Sequence, residues 1–200
     1  MRFLISGGGT GGHVYPSLSV AHALQREPDA AHKFLYLGRA EGIEKKLAER
    51  AQIPFQAIEV SAIRGRSPLT AARNLTKLFG AISRTRASIR DFQPHAIFAT
   101  GGYVSAPVIW ASALEHVPSI LYLPDLEPGW AIRATARWAT RIAVSFDEAR
   151  KFFPRAKVVV TGYPVREQFT RTNRGDARRK FQLAADAPTL TVFGGSRGAH

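Results

Sequence analysis

The chain has no cysteine among its 200 residues. That excludes a disulfide framework and a thiolate metal site. It has no long hydrophobic run either. The longest apolar region, 106–123, is interrupted by Glu115, His116 and Pro118, which makes it too polar for a membrane span. The apolar run at the N-terminus lasts only about four residues before glycines begin, too short for the core of a signal peptide. A soluble, intracellular protein is therefore the first expectation. No spacing of histidines and carboxylates points to a metal site.

Acidic residues are also scarce. Fifteen Asp and Glu face 28 Lys and Arg, a formal net charge of +13. From 61 to 90 there is no acid at all, yet Arg64, Arg66, Arg73, Lys77, Arg84, Arg86 and Arg90 fall in that stretch. Such a balance points to an anionic partner: nucleic acid, an anionic membrane surface or a phosphorylated substrate. No recognition-helix or aromatic-stacking signature accompanies the charge, so nucleic acid is not expected.

What the chain does have is glycine in one place. Gly7-Gly8-Gly9-Thr10-Gly11-Gly12-His13 puts five glycines in six positions after the apolar run Arg2-Phe3-Leu4-Ile5. A helical pattern follows, opening at Pro16, a residue suited to a first helical turn. Strand, glycine loop and helix in that order can cradle a phosphate. The backbone N–H groups close around the anion and the helix N-terminus adds partial positive charge. Gly7, Gly9 and Gly12 fit the dinucleotide spacing G-x-G-x-x-G, which is weak by itself. The acidic residue such a site wants at the end of the second strand is absent, since Gly38-Arg39 stands there. An NADP-dependent reductase using Arg39 is accordingly a remote alternative. No Gly-Lys-Ser/Thr follows, so the loop is not a Walker loop.

Apolar strands alternate with helical patterns along the chain. Strands are expected at 2–5, 33–37, 55–60, 95–99, 119–123, 141–145 and 157–161. Helices are expected at 16–26, 41–51, 69–92, 105–115, 129–139 and 147–152. This order predicts a doubly wound parallel α/β sheet, Rossmann-like, with ligands at the carboxyl ends of the strands. Gly162-Tyr163-Pro164 breaks the pattern. Beyond it come a basic segment, 166–176, a helix to 183, and a strand at 189–193 followed by Gly194-Gly195-Ser196-Arg197-Gly198-Ala199. The chain thus divides into a first domain over 1–162 and, over 163–200, a hinge and the opening strand-loop of a second.

Four further stretches carry candidate chemistry. Gly101-Gly102-Tyr103-Val104-Ser105 follows the fourth strand; its glycines allow close approach and Ser105 can cap the next helix. Arg64 and Arg66 flank Gly65 in a loop suited to phosphate, or simply to solvent. Asp125 and Glu127 follow the fifth strand, as a general base or as helix caps. On the 69–92 helix, Leu75, Leu78, Phe79 and Ile82 lie among cations. Part of that stripe must face the sheet; a surplus ringed by Lys77, Arg84 and Arg86 would dock on an anionic bilayer.

Taken together, Gly8–His13 as a run, Arg64-Gly65, Gly101-Gly102-Tyr103-Val104-Ser105, Gly162-Tyr163-Pro164-Val165-Arg166 and Gly194-Gly195-Ser196-Arg197-Gly198-Ala199 resemble the MurG-like N-acetylglucosaminyl transferases. These belong to glycosyltransferase family 28 and have the GT-B fold. The resemblance covers nearly all of the chain. It implies the Rossmann-like N-terminal half of an inverting transferase that moves GlcNAc from a UDP-sugar to undecaprenyl-pyrophosphoryl-MurNAc-pentapeptide. No cofactor or metal is implied, and the place of work is the cytoplasmic face of the plasma membrane, peripherally bound. The resemblance makes His13 and Asp125 candidate catalytic groups. Gly8, Gly9, Thr10, Gly11, Gly12, His13, Arg64, Gly102, Tyr103 and Ser105 would meet the acceptor and its pyrophosphate. Thr10, Gly11, Gly12, Arg166 and Ser196 would serve the donor, and Leu75, Lys77, Phe79, Ile82, Arg84 and Arg86 the membrane. Two positions depart from the family. Its His-Glu-Gln-Asn is Tyr122-Leu123-Pro124-Asp125 here, and the Asn of its Gly-Asn-Pro hinge is Tyr163. Another polyprenyl or diacylglycerol acceptor, or a non-catalytic anchoring subunit of a two-chain transferase, stays open.

Overall fold

Seven short apolar runs become seven strands of one sheet, all of them parallel. In chain order they are β1 (Arg2–Ser6), β2 (Lys33–Gly38), β3 (Phe55–Ala57), β4 (Ala96–Ala99), β5 (Ser119–Leu123), β6 (Arg141–Val144) and β7 (Val158–Val160). They lie side by side as β3-β2-β1-β4-β5-β6-β7. The computed structural model describes residues 1–28, 31–60, 68–192 and 194, and for 68–75, 168 and 170 the backbone alone. Between the strands run α1 (Gly11–Gln25), α2 (Ile43–Arg50), α3 (Pro68–Phe92), α4 (Ser105–Leu114) and α5 (Trp130–Thr135). Two compact units result, Met1–Pro164 and Val165–His200.

Alternation along each strand sends neighbouring side chains to opposite faces. Ile5, Phe34 and Tyr36 pack against Val14, Leu18 and Ala21 of α1 and Ala48 of α2. On the other face Leu4, Leu37 and Ile97 meet Ile89 of α3 and Val108 and Ala111 of α4. That second face continues through Leu121, Leu123, Ile142 and Val144 to Ile109 of α4 and Ile132 of α5. Strands so placed are buried on both faces near the middle of the sheet, which is why they read as continuous apolar runs. The first face is less well covered over its far half. Phe98 pairs in register with Ile120, and Ala143 with Val159; there Ile120 is 40% exposed and Val159 50%.

Several expectations need correction. The first helix starts at Gly11, inside the glycine loop, so Pro16 is an interior residue rather than an opening one. β3 ends at Ala57, and α5 stops at Thr135. Residues Asp147–Phe152 form a 3-10 helix rather than an α-helix. Ser105 does not cap α4: Val104 holds that position and the Ser105 hydroxyl donates back to the Gly101 carbonyl at 2.6 Å. No strand forms over 189–192, where Leu190 is 90% and Val192 87% exposed. A strand needs a neighbour to pair with, and the described part of its unit has only the short helices α6 (Glu167–Arg171) and α7 (Arg174–Lys180).

Candidate active site

Three loops meet at the carboxyl ends of β1, β4 and β5. The glycine loop follows β1 and runs straight into α1, whose N-cap Thr10 is extended. The first-turn amides of a helix have no intrahelical acceptor, so Gly11 and Gly12 bring free-pointing donors to the loop. Pro16 has no N–H to give the Gly12 carbonyl four residues back. The loop after β4 fits against the glycine loop so closely that a Cβ on Gly102 would lie 2.4 Å from the Gly8 carbonyl oxygen. Its φ of +77° is also a backbone conformation that side chains disfavour. Only glycine serves at that position.

His13 sits in the first turn of α1, half-buried. Its Nδ1 lies 3.2 Å from the Thr10 hydroxyl. The Thr100 hydroxyl donates to the His13 backbone carbonyl and so fixes the residue from the β4 side. Burial pushes the imidazole below its ordinary value of 6.5; the Asp125 charge and a hydrogen bond with the Gly8 backbone pull it part of the way back. At neutral pH the ring is therefore an unprotonated base with a carboxylate in range.

Beside His13 opens a cavity of about 500 Å³ lined by His13, Gly102, Tyr103, Asp125, Gly129, Trp130, Ala131 and Ile132. Its lining joins apolar and aromatic side chains, Trp130, Ala131, Ile132 and Tyr103, to the polar groups of His13 and Asp125. That is the form of a small-molecule site. Among the described residues no group of three His, Asp or Glu side chains could hold a metal ion.

The sequence candidates therefore divide. Gly8, Gly9, Thr10, Gly11, Gly12, His13, Gly102, Tyr103 and Asp125 converge on one end of the sheet. Ser105 is fully buried and holds the loop from behind rather than facing the cavity. Asp125 is exposed, and α5 takes Gly129 as its N-cap with no side-chain cap, so neither Asp125 nor Glu127 is spent there. In the Tyr122-Leu123-Pro124-Asp125 segment, Tyr122 is buried with its hydroxyl 2.6 Å from Ser145 Oγ, and of the four residues Asp125 alone lines the cavity. Arg166 belongs to the second unit, where its guanidinium lies over the Phe169 ring. Arg64 and Ser196, with the side chain of Leu75, lie outside the described residues.

The proposed membrane stripe is thinner than expected. Ile82 packs against the core. Arg84 pairs with Glu59 at 3.3 Å, and Arg86 with Glu115 at 2.6 Å. Lys77 and Phe79 are exposed, Phe79 to 63%. No described helix is long and apolar enough to cross a membrane.

Sequence reasoning missed the groups beneath the loop. The Tyr36 hydroxyl donates to the Gly7 carbonyl at 2.8 Å, and burial holds that phenol well above its ordinary value. Glu44 is fully buried and accepts from backbone amides. In sequence, Glu44 reads as one more charge on a solvated helix, and only the sheet order brings it under the loop.

A doubly wound parallel sheet with a glycine loop at the mouth of its first helix, and a cavity beside it, defines a Rossmann-like ligand-binding domain. The N-terminal domain of glycosyltransferase family 28 matches residues 3–144. The chain belongs to that family. It is 38% identical over its whole length to a UDP-N-acetylglucosamine–N-acetylmuramyl-(pentapeptide) pyrophosphoryl-undecaprenol N-acetylglucosamine transferase of Bacillus pumilus, of which it covers 54%. It is 41% identical to the enzyme of the same name from Desulforudis audaxviator and covers 53% of it. The chain thus spans about half the length of the curated relatives it matches. Among solved structures, MurG of Acinetobacter baumannii superposes with a TM-score of 0.71 at 24% identity, over 94% of this chain and 50% of that one. A Neisseria meningitidis UDP-GlcNAc 2-epimerase bound to UDP-GlcNAc follows at 0.63 and 16% identity, over 93% of this chain and 55% of that one. Both share the fold.

Proposed function

We propose that this chain is the acceptor-binding half of an inverting glycosyltransferase. It would work on a lipid-linked acceptor at the cytoplasmic face of the plasma membrane, with a UDP-sugar as donor, as in the last lipid-linked step of peptidoglycan synthesis. The names of the curated relatives support the substrate class. The convergence of His13, Asp125 and the β4 loop on one cavity, with the glycine loop packed against that β4 loop, is the observation that carries it.

In this reading the loop amides and the α1 N-terminus hold the acceptor pyrophosphate. The acceptor sugar lies in the cavity with its reacting hydroxyl toward His13 and Asp125. The hydroxyl oxygen forms a bond to the anomeric carbon while the bond from that carbon to the UDP oxygen breaks. The proton passes to the His13–Asp125 pair: the imidazole is kept unprotonated by burial, and Asp125 steadies the cation it becomes. UDP leaves with the electron pair, and the donor side, including Arg166 and Ser196, belongs with residues beyond the first unit. Lys77 and Phe79 on α3 touch the bilayer. The apolar wall of Trp130 and Ile132 favours a second acceptor reading, a different membrane lipid with a less polar headgroup.

The test is an NMR titration of the 200-residue chain with a short-chain polyprenyl-pyrophosphoryl-MurNAc-pentapeptide. Amide shifts confined to Gly8–Gly12, His13 and Tyr103 are expected, and they should vanish in Gly102→Ala. A lack of shifts there sinks the acceptor assignment. Shifts produced equally by a diacylglycerol glycolipid would favour the second reading.

A further inference from the structure

The glycine loop already meets one carboxyl group, and it comes from the protein itself. Glu44, in the first turn of α2, is fully buried. Its Oε1 accepts the Arg39 backbone N–H at 3.0 Å and its Oε2 the Gly9 N–H at 3.5 Å. The surroundings are built for it. A Cβ on Gly8 would stand 2.4 Å from Oε1, and one on Gly42 within 2.2 Å of both oxygens. Two loops from different parts of the chain, after β1 and after β2, have thus given up side chains to close on one carboxylate. Burying a carboxylate is costly unless its oxygens are satisfied.

From this geometry we propose that Glu44 is a positioning residue for the phosphate-binding loop. By drawing the Gly9 N–H inward, it decides which amides face outward, leaving those of Gly11 and Gly12 at the mouth of α1. By taking the Arg39 N–H on its other oxygen, it ties the loop to the β2–α2 connection. The proposal rests on the acceptor reading for its consequence but not for its test. The two amides meet different oxygens of Glu44, and Glu44→Gln replaces one of those acceptors with an NH2 donor that faces an N–H.

The experiment compares the 200-residue chain with its Glu44→Gln variant by backbone amide hydrogen exchange. The Gly9 amide should be protected in the parent and lose about tenfold or more of that protection in the variant, while the Leu121 amide in the sheet is unchanged. Equal protection at Gly9 in both, or none in the parent, overturns the proposal. A loss shared with Leu121 also overturns it, because Glu44 would then be a general stabiliser. In parallel, both proteins are titrated with farnesyl diphosphate, the variant being expected to bind at least about tenfold more weakly. Binding as tight as the parent's, or tighter, overturns the positioning role. Failure of the parent itself to bind counts against the acceptor reading, and the Gly9 exchange then decides the role of Glu44 alone.

Discussion

His13 has its imidazole held below the ordinary value of 6.5 by its surroundings. Burial lowers its value, and the carboxylate of Asp125 works against that burial. The two effects can be separated. Asp125→Asn removes the opposing charge, so the His13 imidazole should titrate at a lower pH than in the parent; ring-nitrogen or ring-proton NMR across the titration is the check. An unchanged titration would separate Asp125 from His13. Tyr36→Phe tests the loop from below. It frees the Gly7 carbonyl and should cost about 1–3 kcal/mol in denaturant unfolding. At this scale much of the candidate site was legible: the glycines, His13 and Asp125, which the structure brings to one end of the sheet, stood out because their chemistry is local to a loop. Glu44 and Tyr36 did not, because their role depends on a neighbour that the sequence does not adjoin.

Among the elements, α3 is the one whose sequence is most ambiguous. Its apolar residues and its cations are intermixed, and periodicity alone cannot divide core from surface. The fold divides them: Ala81 and Ile89 are buried, and Phe79 stands out. Three of its arginines are engaged with acids, two of them with Glu115 just past the end of α4: Arg86 Nε at 2.6 Å and Arg90 Nε at 2.8 Å. Those guanidinium hydrogen bonds, Arg90 first, bring the Glu115 carboxyl down from 4.5 to about 2. Because the folded-state value is the lower one, the stability this cluster contributes is complete above pH 4.5 and fades as the pH falls toward 2. Glu115→Gln should flatten that acid limb of the thermal-unfolding profile and leave the neutral range less salt-sensitive. The remaining exposed pair makes a second prediction. Lys77→Glu with Phe79→Ser should reduce sedimentation with anionic liposomes without lowering the melting temperature, and high salt should weaken the parent's binding. Undiminished binding would move the membrane contact off α3. The boundaries that sequence misjudged have local causes too. Glycines at Gly11 and Gly12 look like loop, yet they are held in the first helical turn by the Thr10 carbonyl, which accepts from His13 and Val14.

For the whole molecule, βα alternation implies a parallel, doubly wound sheet, and the sequence pattern carried that much; the strand order comes from the structure. What the pattern could not carry is coverage: which half of which face finds a helix. Ile120 and Val159 are left partly open to solvent on a face that α1 and α2 cover elsewhere. Exposed apolar surface of this kind binds hydrophobic dyes. Ile120→Thr with Val159→Thr should lower 1-anilinonaphthalene-8-sulfonate fluorescence of the native chain while leaving its circular dichroism unchanged. Equal fluorescence would place the dye elsewhere.

The central position of β1 has a consequence in time rather than in space. β1 pairs on one side with β2, nearby in the chain, and on the other with β4, reached only after α3 has been made. Gly102, Thr100 and Asp125 all arrive with or after β4, so no fragment ending before it can carry the cavity. Long-range parallel pairing is slow to form. A refolding chain should therefore regain far-ultraviolet ellipticity first and ligand-binding capacity last, in the same step that closes the sheet between β1 and β4.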